Sequence, residues 1–449
     1  MTWIFSIRKG DFIDVSLFSS YILYMSEYII TGGVPLNGTI KACGNKNAAL
    51  PCIAAALLTD EPVILRNIPD IEDVRVMLDV FTALGGEVET PEPNIRKLSL
   101  TNIKSSEIPR EQAKKIRASI LFAGPLLART GKVILPPPGG DVIGRRRLDT
   151  HFLVLTELGS KVKVGDNFTF SAKKLTGADI FLDEASVTAT ENAIMAAVLA
   201  KGKTILTNAA SEPHVQDLCN MLVKMGAHIE GIGSNILTIN GVKKLSGCEY
   251  EIGADFMEVG SFIGLAAVTG GDLHIEGATI QDMRPAKIAF GKLGIVWAHE
   301  GTVIHVPKNQ PMEVNHDLGG MIPKIDDSPW PGFPPDLLSI VIVVATQIKG
   351  TVLIHEKMYE SRMFFVDKLI GMGARIVLCD PHRAVISGPA KLHGSELISP
   401  DVRAGMAMLI ATMCAEGKSI IRNVYQIERG YEHLPERLAS LGAQIQRIE

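Results

Sequence analysis

Six basic residues and two aspartates carry the chemistry this 449-residue sequence offers: Lys46, Arg117, Arg146, Arg362, Arg403 and Arg429 beside Asp141 and Asp336. In GNKNAALP (44–51), Lys46 stands at the mouth of an apolar helix, next to Asn47, whose amide can both donate and accept. In LPPPGGDVIGRRRLDTH (135–151), prolines precede a Gly139-Gly140 hinge, then Asp141, then Arg145–Arg147. That order reads as a mobile loop carrying an acid over a phosphate site. A solvated charge run would account for Arg145 or Arg147 equally well. In WPGFPPDLL (330–338), Asp336 follows two prolines and opens a long apolar helix, where a plain N-cap is the competing reading. Arg362 lies in YESRMF, Arg403 in SPDVRAG and Arg429 in IERGYE. Gathered in one place, these cations make a positive pocket inside a chain of net charge −4. That pattern suits a small polyanionic substrate better than a nucleic acid.

The elements that must position them repeat along the chain. A Leu-Gly or Met-Gly step followed by a short alternating strand occurs at Gly85, Gly159, Gly226, Gly294, Gly373 and Gly442, at separations of 74, 67, 68, 79 and 69 residues. Each step lies 23 to 28 residues beyond an apolar strand opening such as EPVIL, GKTIL or GTVLI. Each strand opening follows a segment rich in Ala, Ile, Leu and Met, apolar nearly all round and therefore expected to be a buried helix. An amphipathic surface helix such as 73–84 then ends at Leu-Gly. The unit reads strand, buried helix, strand, surface helix, strands, and six units make two domains of three. The buried helices open on Lys46-Asn47, Arg117, Glu191, Glu258, Asp336 and Arg403. If their N-termini face one cleft, their dipoles and free N–H groups favour anions there. Ordinary capping is the alternative for Glu191 and Glu258; a Lys or Arg at a helix start opposes the dipole and needs another reason.

At 46% apolar and 21% charged, the chain is globular, which excludes a disordered or coiled-coil protein. Its six cysteines fall in no CxxC spacing and read as reduced thiols of a cytoplasmic protein. No apolar run reaches the ~18 residues of a membrane helix. The N-terminal stretch lacks a signal-peptide pattern, and residues 1–24 read as a disordered or non-native extension ahead of Met25. There is no GxxxxGK[ST], no GxGxxG after a strand and no HExxH, so no nucleotide-triphosphate loop, dinucleotide fold, metal or other cofactor is implied.

The stretches GNKNAALP, IRASILFAGPLLAR, PGGDVIGRRRLDTHFLVLTELG, NAASEPHVQDL, GFPPDLL, YESRMF and IERGYEHL resemble the enolpyruvyl transferases of peptidoglycan synthesis, in order, from about Glu27 to the C-terminus. The resemblance implies an α/β (α+β) architecture, the two-domain inverted αβ barrel of six βαβαββ-type repeats. Residues 46–253 would form one domain with the catalytic loop, and 25–45 with 254–449 the other. It implies transfer of the enolpyruvyl group of phosphoenolpyruvate to the 3′-hydroxyl of UDP-N-acetylglucosamine, with phosphate released. The only partners implied are these two small molecules; no nucleic acid, membrane or protein partner is.

On that resemblance Lys46 and Asn47 contact phosphoenolpyruvate and the sugar nucleotide, and Arg117 contacts substrate. Arg146 and Arg429 hold the phosphate, while Arg362 and Arg403 are further active-site arginines. Arg146, Arg147, Leu148, Asp149 and Thr150 lie along the uridine site with Ser186, Val187 and Thr188. Met358 is an apolar sugar-nucleotide contact, and Asp336 is the acid near the acceptor hydroxyl. Two positions depart from the usual pattern: Asp141 stands where the loop normally has Cys, and Glu184 where Lys is usual. The expected roles are then Asp141 as acid toward C3, Asp336 as base for the hydroxyl, and resistance to fosfomycin, which alkylates the loop Cys. Two rival readings are a shikimate-pathway enolpyruvyl transferase and a silent sugar-nucleotide-binding regulator.

Overall fold

The computed structural model describes residues 26–140, 144 and 147–449. Asp141 and Arg146 lie outside the described residues, as does the extension expected at the N-terminus. The apolar segments form helices over Lys46–Ala55, Ala123–Thr130, Val187–Ala197, Phe256–Thr269, Pro335–Gln347 and Val402–Cys414. A surface that is apolar on every side has to be covered on every side, and these helices are the centre of the molecule. The second is shorter than its apolar run, because Arg117–Phe122 is a 3-10 turn. Pro125, which has no N–H to give back to the preceding turn, falls in the first turn of the α-helix, where that N–H has no intrahelical partner to lose.

Helix 335–347 packs on 402–414 and 256–269, and helix 123–130 packs on 187–197. These helices anchor two hydrophobic cores, one drawn from residues 48–252 and one from 28–42 with 256–445. Five four-stranded sheets and one three-stranded sheet cover the helices. In one of them Asp179–Phe181 lies parallel to Lys203–Thr207, which pairs antiparallel with Ile236–Asn240, itself paired with His228–Glu230. The three-stranded sheet keeps only a single Glu107–Ile134 bridge where the others have a parallel strand. The Leu-Gly and Met-Gly steps end the surface helices: all six glycines have positive φ, from 70° at Gly294 to 111° at Gly85. At Gly85 a Cβ would also stand 2.7 Å from the Asn102 carbonyl oxygen, so the repeat's signature is a steric requirement.

Two of the six helices start elsewhere than expected relative to their acids. The helix carrying Glu191 begins at Val187, leaving that carboxyl more than a turn inside and buried. Thr190 joins the helix because its hydroxyl is already engaged, accepting from the Ala210 N–H at 3.0 Å. Glu258 is the third residue of its helix and binds outside it, accepting the Cys43 N–H at 2.8 Å and pairing with Arg437 at 2.6 Å.

The chain passes between the two cores twice, near residues 43–46 and 252–255, and the passages run antiparallel through a Gly44–Ala254 bridge. Asn45 N–H donates to the Gly253 carbonyl at 2.7 Å and Asp255 N–H to that of Cys43 at 2.8 Å. Each passage ends in a helix cap: Asn45 accepts from the Asn47 N–H, and Asp255 from those of Met257 and Glu258. The first strands exchange as well, since Asn37–Lys41 pairs with Asp272–Glu276 and Cys248–Glu251 with Val63–Arg66. Removing the Glu258 carboxylate strands Arg437 and the Cys43 N–H together. Glu258→Ala should therefore lose about 3 kcal/mol in urea unfolding; a loss under about 1 kcal/mol would mean the backbone bridges alone hold the crossing.

Candidate active site

The residues that begin all six buried helical segments line one cleft between the two cores: Lys46 and Asn47, Arg117, Val187 and Thr188, Met257, Asp336, and Val402 with Arg403. Helix starts leave N–H groups without intrahelical partners and carry the positive end of the dipole. Six of them aimed at one volume make a field for anions. Arg362, Met358 and Arg429 complete the wall. The cleft thus gathers Lys46, Asn47, Arg117, Val187, Thr188, Asp336, Met358, Arg362, Arg403 and Arg429 of the residues singled out in the sequence. Ser186, Arg147, Leu148, Asp149 and Thr150 are not in its lining. They sit behind its rim: Arg117 Nη2 donates to the Arg147 carbonyl at 2.8 Å, Arg147 pairs with Asp149 at 2.8 Å, and Thr150 is buried, donating to Asp183 at 2.7 Å.

Two carboxylates organise the cations. Asp336 accepts Arg362 Nη2 on Oδ1 and Arg403 Nε on Oδ2, both at 2.9 Å. Burial would raise its carboxyl, but Arg403 and then Arg362 outweigh that and hold it well below the usual carboxylate range. Asp73 accepts Lys46 Nζ on Oδ2 at 3.0 Å and Arg429 Nε on Oδ1 at 2.8 Å. Burial opposes its charge too, and Lys46 and Arg429 again win, keeping it below its ordinary value. Each carboxylate offsets one of its two cations, so each cluster keeps one positive charge. Arg403 also donates to Tyr431 Oη at 3.0 Å, which fixes its plane.

Asp73 was absent from the sequence-derived set because Glu72 and Asp73 look like the solvated first turn of a surface helix. The usable signal was periodicity: Asp73 falls on the stripe of Met77, Val80 and Leu84, the buried face. Glu212 and His214 also line the cleft and were likewise missed, although they follow the GKTIL strand opening and stand at the cap and second residue of helix Pro213–Lys224, the place in the repeat that Arg362 and Arg429 occupy in theirs.

On the opposite wall a buried network sets one hydroxyl. Asn192 Oδ1 accepts the Gly124 N–H at 2.7 Å, so its amide nitrogen donates to the Ile120 carbonyl and to His151 Nδ1. His151 then carries its proton on Nε2 and donates to Thr188 Oγ1 at 3.0 Å. Burial, followed by the charge of Arg117, pushes His151 down to about 3, so it stays neutral. Thr188 accepts from His151 and thereby keeps its own O–H as a donor. Glu191, also in the lining, is raised well above its ordinary range by burial and then by the charge of Glu212.

A family model for EPSP synthase (3-phosphoshikimate 1-carboxyvinyltransferase) matches residues 30–438. The chain is 74% identical to the UDP-N-acetylglucosamine 1-carboxyvinyltransferase of Treponema denticola, over 95% of this chain and 100% of the relative. It is 65% identical to that of Treponema pallidum, over 94% and 99%, and 57% identical to that of Bradyrhizobium diazoefficiens, over 94% and 98%. Among solved structures, the enolpyruvyl transferase NikO from Streptomyces tendae shares its fold with a TM-score of 0.83 at 22% identity, covering 94% of this chain and 99% of that one. An EPSP synthase from Acinetobacter baumannii does so with a TM-score of 0.74 at 17% identity, over 95% and 100%. With relatives this similar along nearly their whole length and this six-helix cleft, the chain belongs to the enolpyruvyl transferase family, among the UDP-N-acetylglucosamine 1-carboxyvinyltransferases.

Proposed function

We propose that this chain joins the enolpyruvyl group of phosphoenolpyruvate to the 3′-hydroxyl of UDP-N-acetylglucosamine and releases inorganic phosphate, the step that commits the sugar nucleotide to peptidoglycan. The observation that carries it is the convergence of six helix starts, Lys46, Arg117, Arg362, Arg403 and Arg429 on one cleft, with the Asp336 carboxylate held between two of those arginines in its far wall. The shikimate-directed alternative has the fold and a family description behind it, whereas relatives at 57 to 74% identity bear the sugar-nucleotide name. The work of such an enzyme is cytoplasmic, and no described helix is long and apolar enough to cross a membrane.

In the addition step the sugar hydroxyl oxygen bonds to C2 of phosphoenolpyruvate, C3 gains a proton, and the hydroxyl loses one. In the elimination C3 loses a proton, the C2–O bond to phosphate breaks, and the double bond returns. Asp336 takes the hydroxyl proton. Held by two guanidinium groups, it is ionised but a feeble base. The carboxylate and phosphate of phosphoenolpyruvate compete for those same guanidinium groups, and each transfer of an arginine from Asp336 to substrate makes the aspartate more basic. Substrate binding and base activation are thus one exchange. Lys46, Arg429 and Arg146 take the phosphate charge, and the converging helix starts stabilise it further. Asp141 gives the proton to C3 in place of the usual cysteine.

Phosphate release should require both substrates together. Asp336→Asn should lower kcat by about a thousandfold while leaving the affinity for UDP-N-acetylglucosamine within about fivefold; near-normal turnover in that variant would remove Asp336 as the base. Asp141 bears a carboxylate, a poorer nucleophile toward an epoxide than a thiolate. Intact-mass measurement should show no fosfomycin adduct on the protein and a stoichiometric one on Asp141→Cys. Because a free carboxyl titrates near ~3.9 and a thiol near ~8.5, the same substitution should shift the acidic limb of the rate profile; superimposable limbs would exclude Asp141 as the proton donor.

A further inference from the structure

Just behind Met358 and Arg362 lie two carboxyl groups that the reaction does not use. Strands Lys324–Asp326 and Gly350–His355 run parallel with Asp326 opposite His355, so Asp327 and Glu356 leave the two strands side by side. Both are 0% exposed. Glu356 Oε1 accepts the Met358 N–H at 3.2 Å and the Tyr359 N–H at 3.1 Å, while Asp327 Oδ1 accepts the Lys357 N–H. Two side chains therefore bind three successive backbone amides and build the turn that brings Met358 and Tyr359 to the cleft. Their remaining oxygens, Asp327 Oδ2 and Glu356 Oε2, accept no hydrogen bond among the described residues; Arg362 Nε forms an ion pair with Glu356 Oε2 at 3.8 Å, beyond hydrogen-bond distance.

Two buried carboxylates side by side, each with an oxygen that no donor among the described residues reaches, cannot both be ionised without a large cost; one proton between them, in a Glu356–Asp327 hydrogen bond, satisfies both. The surrounding charges do not change that conclusion. Lys324 and Lys357 pair with Asp326, Arg383 pairs with Asp380, and Arg362 bonds Asp336 through Nη2 while its Nε attracts Glu356 from 3.8 Å, an attraction that burial and Asp327 outweigh. His382 bonds the Glu356 backbone carbonyl, not the carboxyl. Burial, then the hydrogen bond and charge of Asp327, push Glu356 up to about 9.

We propose that Asp327 and Glu356 are positioning residues that share one proton, and that this shared proton holds the Lys357–Tyr359 turn so that Met358 and Arg362 meet the sugar nucleotide in register. The inference rests on the proposed function for its ligand, and on the turn alone for its proton. A glutamine at 356 supplies the missing donor permanently and keeps an oxygen for the two amides, whereas alanine removes both.

The test compares Glu356→Gln, Glu356→Ala and the unaltered protein, using calorimetric binding of UDP-N-acetylglucosamine alone and steady-state kinetics. At pH 7, Glu356→Gln should keep KM and Kd for the sugar nucleotide within about twofold, while Glu356→Ala should raise them about tenfold with a smaller change in kcat. Between pH 7 and 10 the unaltered protein should lose affinity as the pair loses its proton near about 9, and Glu356→Gln should not. Stability gives a readout without substrate. A carboxyl that keeps its proton only in the folded state makes stability fall as pH rises from the ordinary carboxyl range to about 9. The melting temperature of the unaltered protein should therefore fall over that span more steeply than that of Glu356→Gln. Equal losses in the glutamine and alanine variants, or identical alkaline profiles for Glu356→Gln and the unaltered protein, would overturn the shared proton. Should the unaltered protein bind no sugar nucleotide, the functional reading fails, and the two melting profiles still decide the proton.

Discussion

Positive ends of six helices pointed at one volume, with lysine and arginine side chains added, repel one another, and this cleft depends on what offsets that repulsion. Asp73 and Asp336 do it, each between two cations at 2.8 to 3.0 Å. Without them the cations would splay into solvent or shed their order. With them each cluster keeps one positive charge and a defined geometry, which is the preorganisation that catalysis on anions needs. Asp73 does one thing more: Lys46 belongs to the same core as it, and Arg429 to the other, so this ion pair also fastens the two halves across the cleft.

The same carboxylates explain how a site can be tight yet reactive. An aspartate buried by two guanidinium groups is a poor base, and a guanidinium committed to an aspartate is a poor ligand. An incoming dianion exchanges the partners, and both groups become active together. Around this exchange stand groups set by burial and their neighbours: neutral His151, oriented by Asn192, turning Thr188 into a donor, and Glu191 inside its helix, raised by burial and Glu212.

Much of this was legible in the sequence where sterics forced a residue type. The six Leu-Gly steps could be read because the positive φ beyond a helix end admits little but glycine, and the buried helices because all-round apolarity has no other home. Lys46, Asp336, Arg362, Arg403 and Arg429 stood out as charges at helix starts and strand ends, and the cleft contains them. What stayed hidden depends on partners far along the chain. Asp73 looks like a solvated acid until Arg429, 356 residues away, is placed beside it. The pairing of Cys248–Glu251 with Val63–Arg66 has no local signature, and Asp327 and Glu356 are unremarkable until two strands bring them together. Glu191 was read as a helix opening, but the helix already begins at Val187 and runs through Thr190, whose hydroxyl finds its partner in the Ala210 N–H.

A crystal structure of the protein with UDP-N-acetylglucosamine and phosphoenolpyruvate, or a non-reacting analogue of the latter, tests the exchange directly. The account predicts that Arg362 or Arg403 leaves the Asp336 carboxylate for an anionic group of phosphoenolpyruvate, and that the freed aspartate oxygen lies within hydrogen-bond distance of the sugar 3′-hydroxyl. If both arginines stay on Asp336 at 2.9 Å and the hydroxyl meets another base, the central claim is wrong.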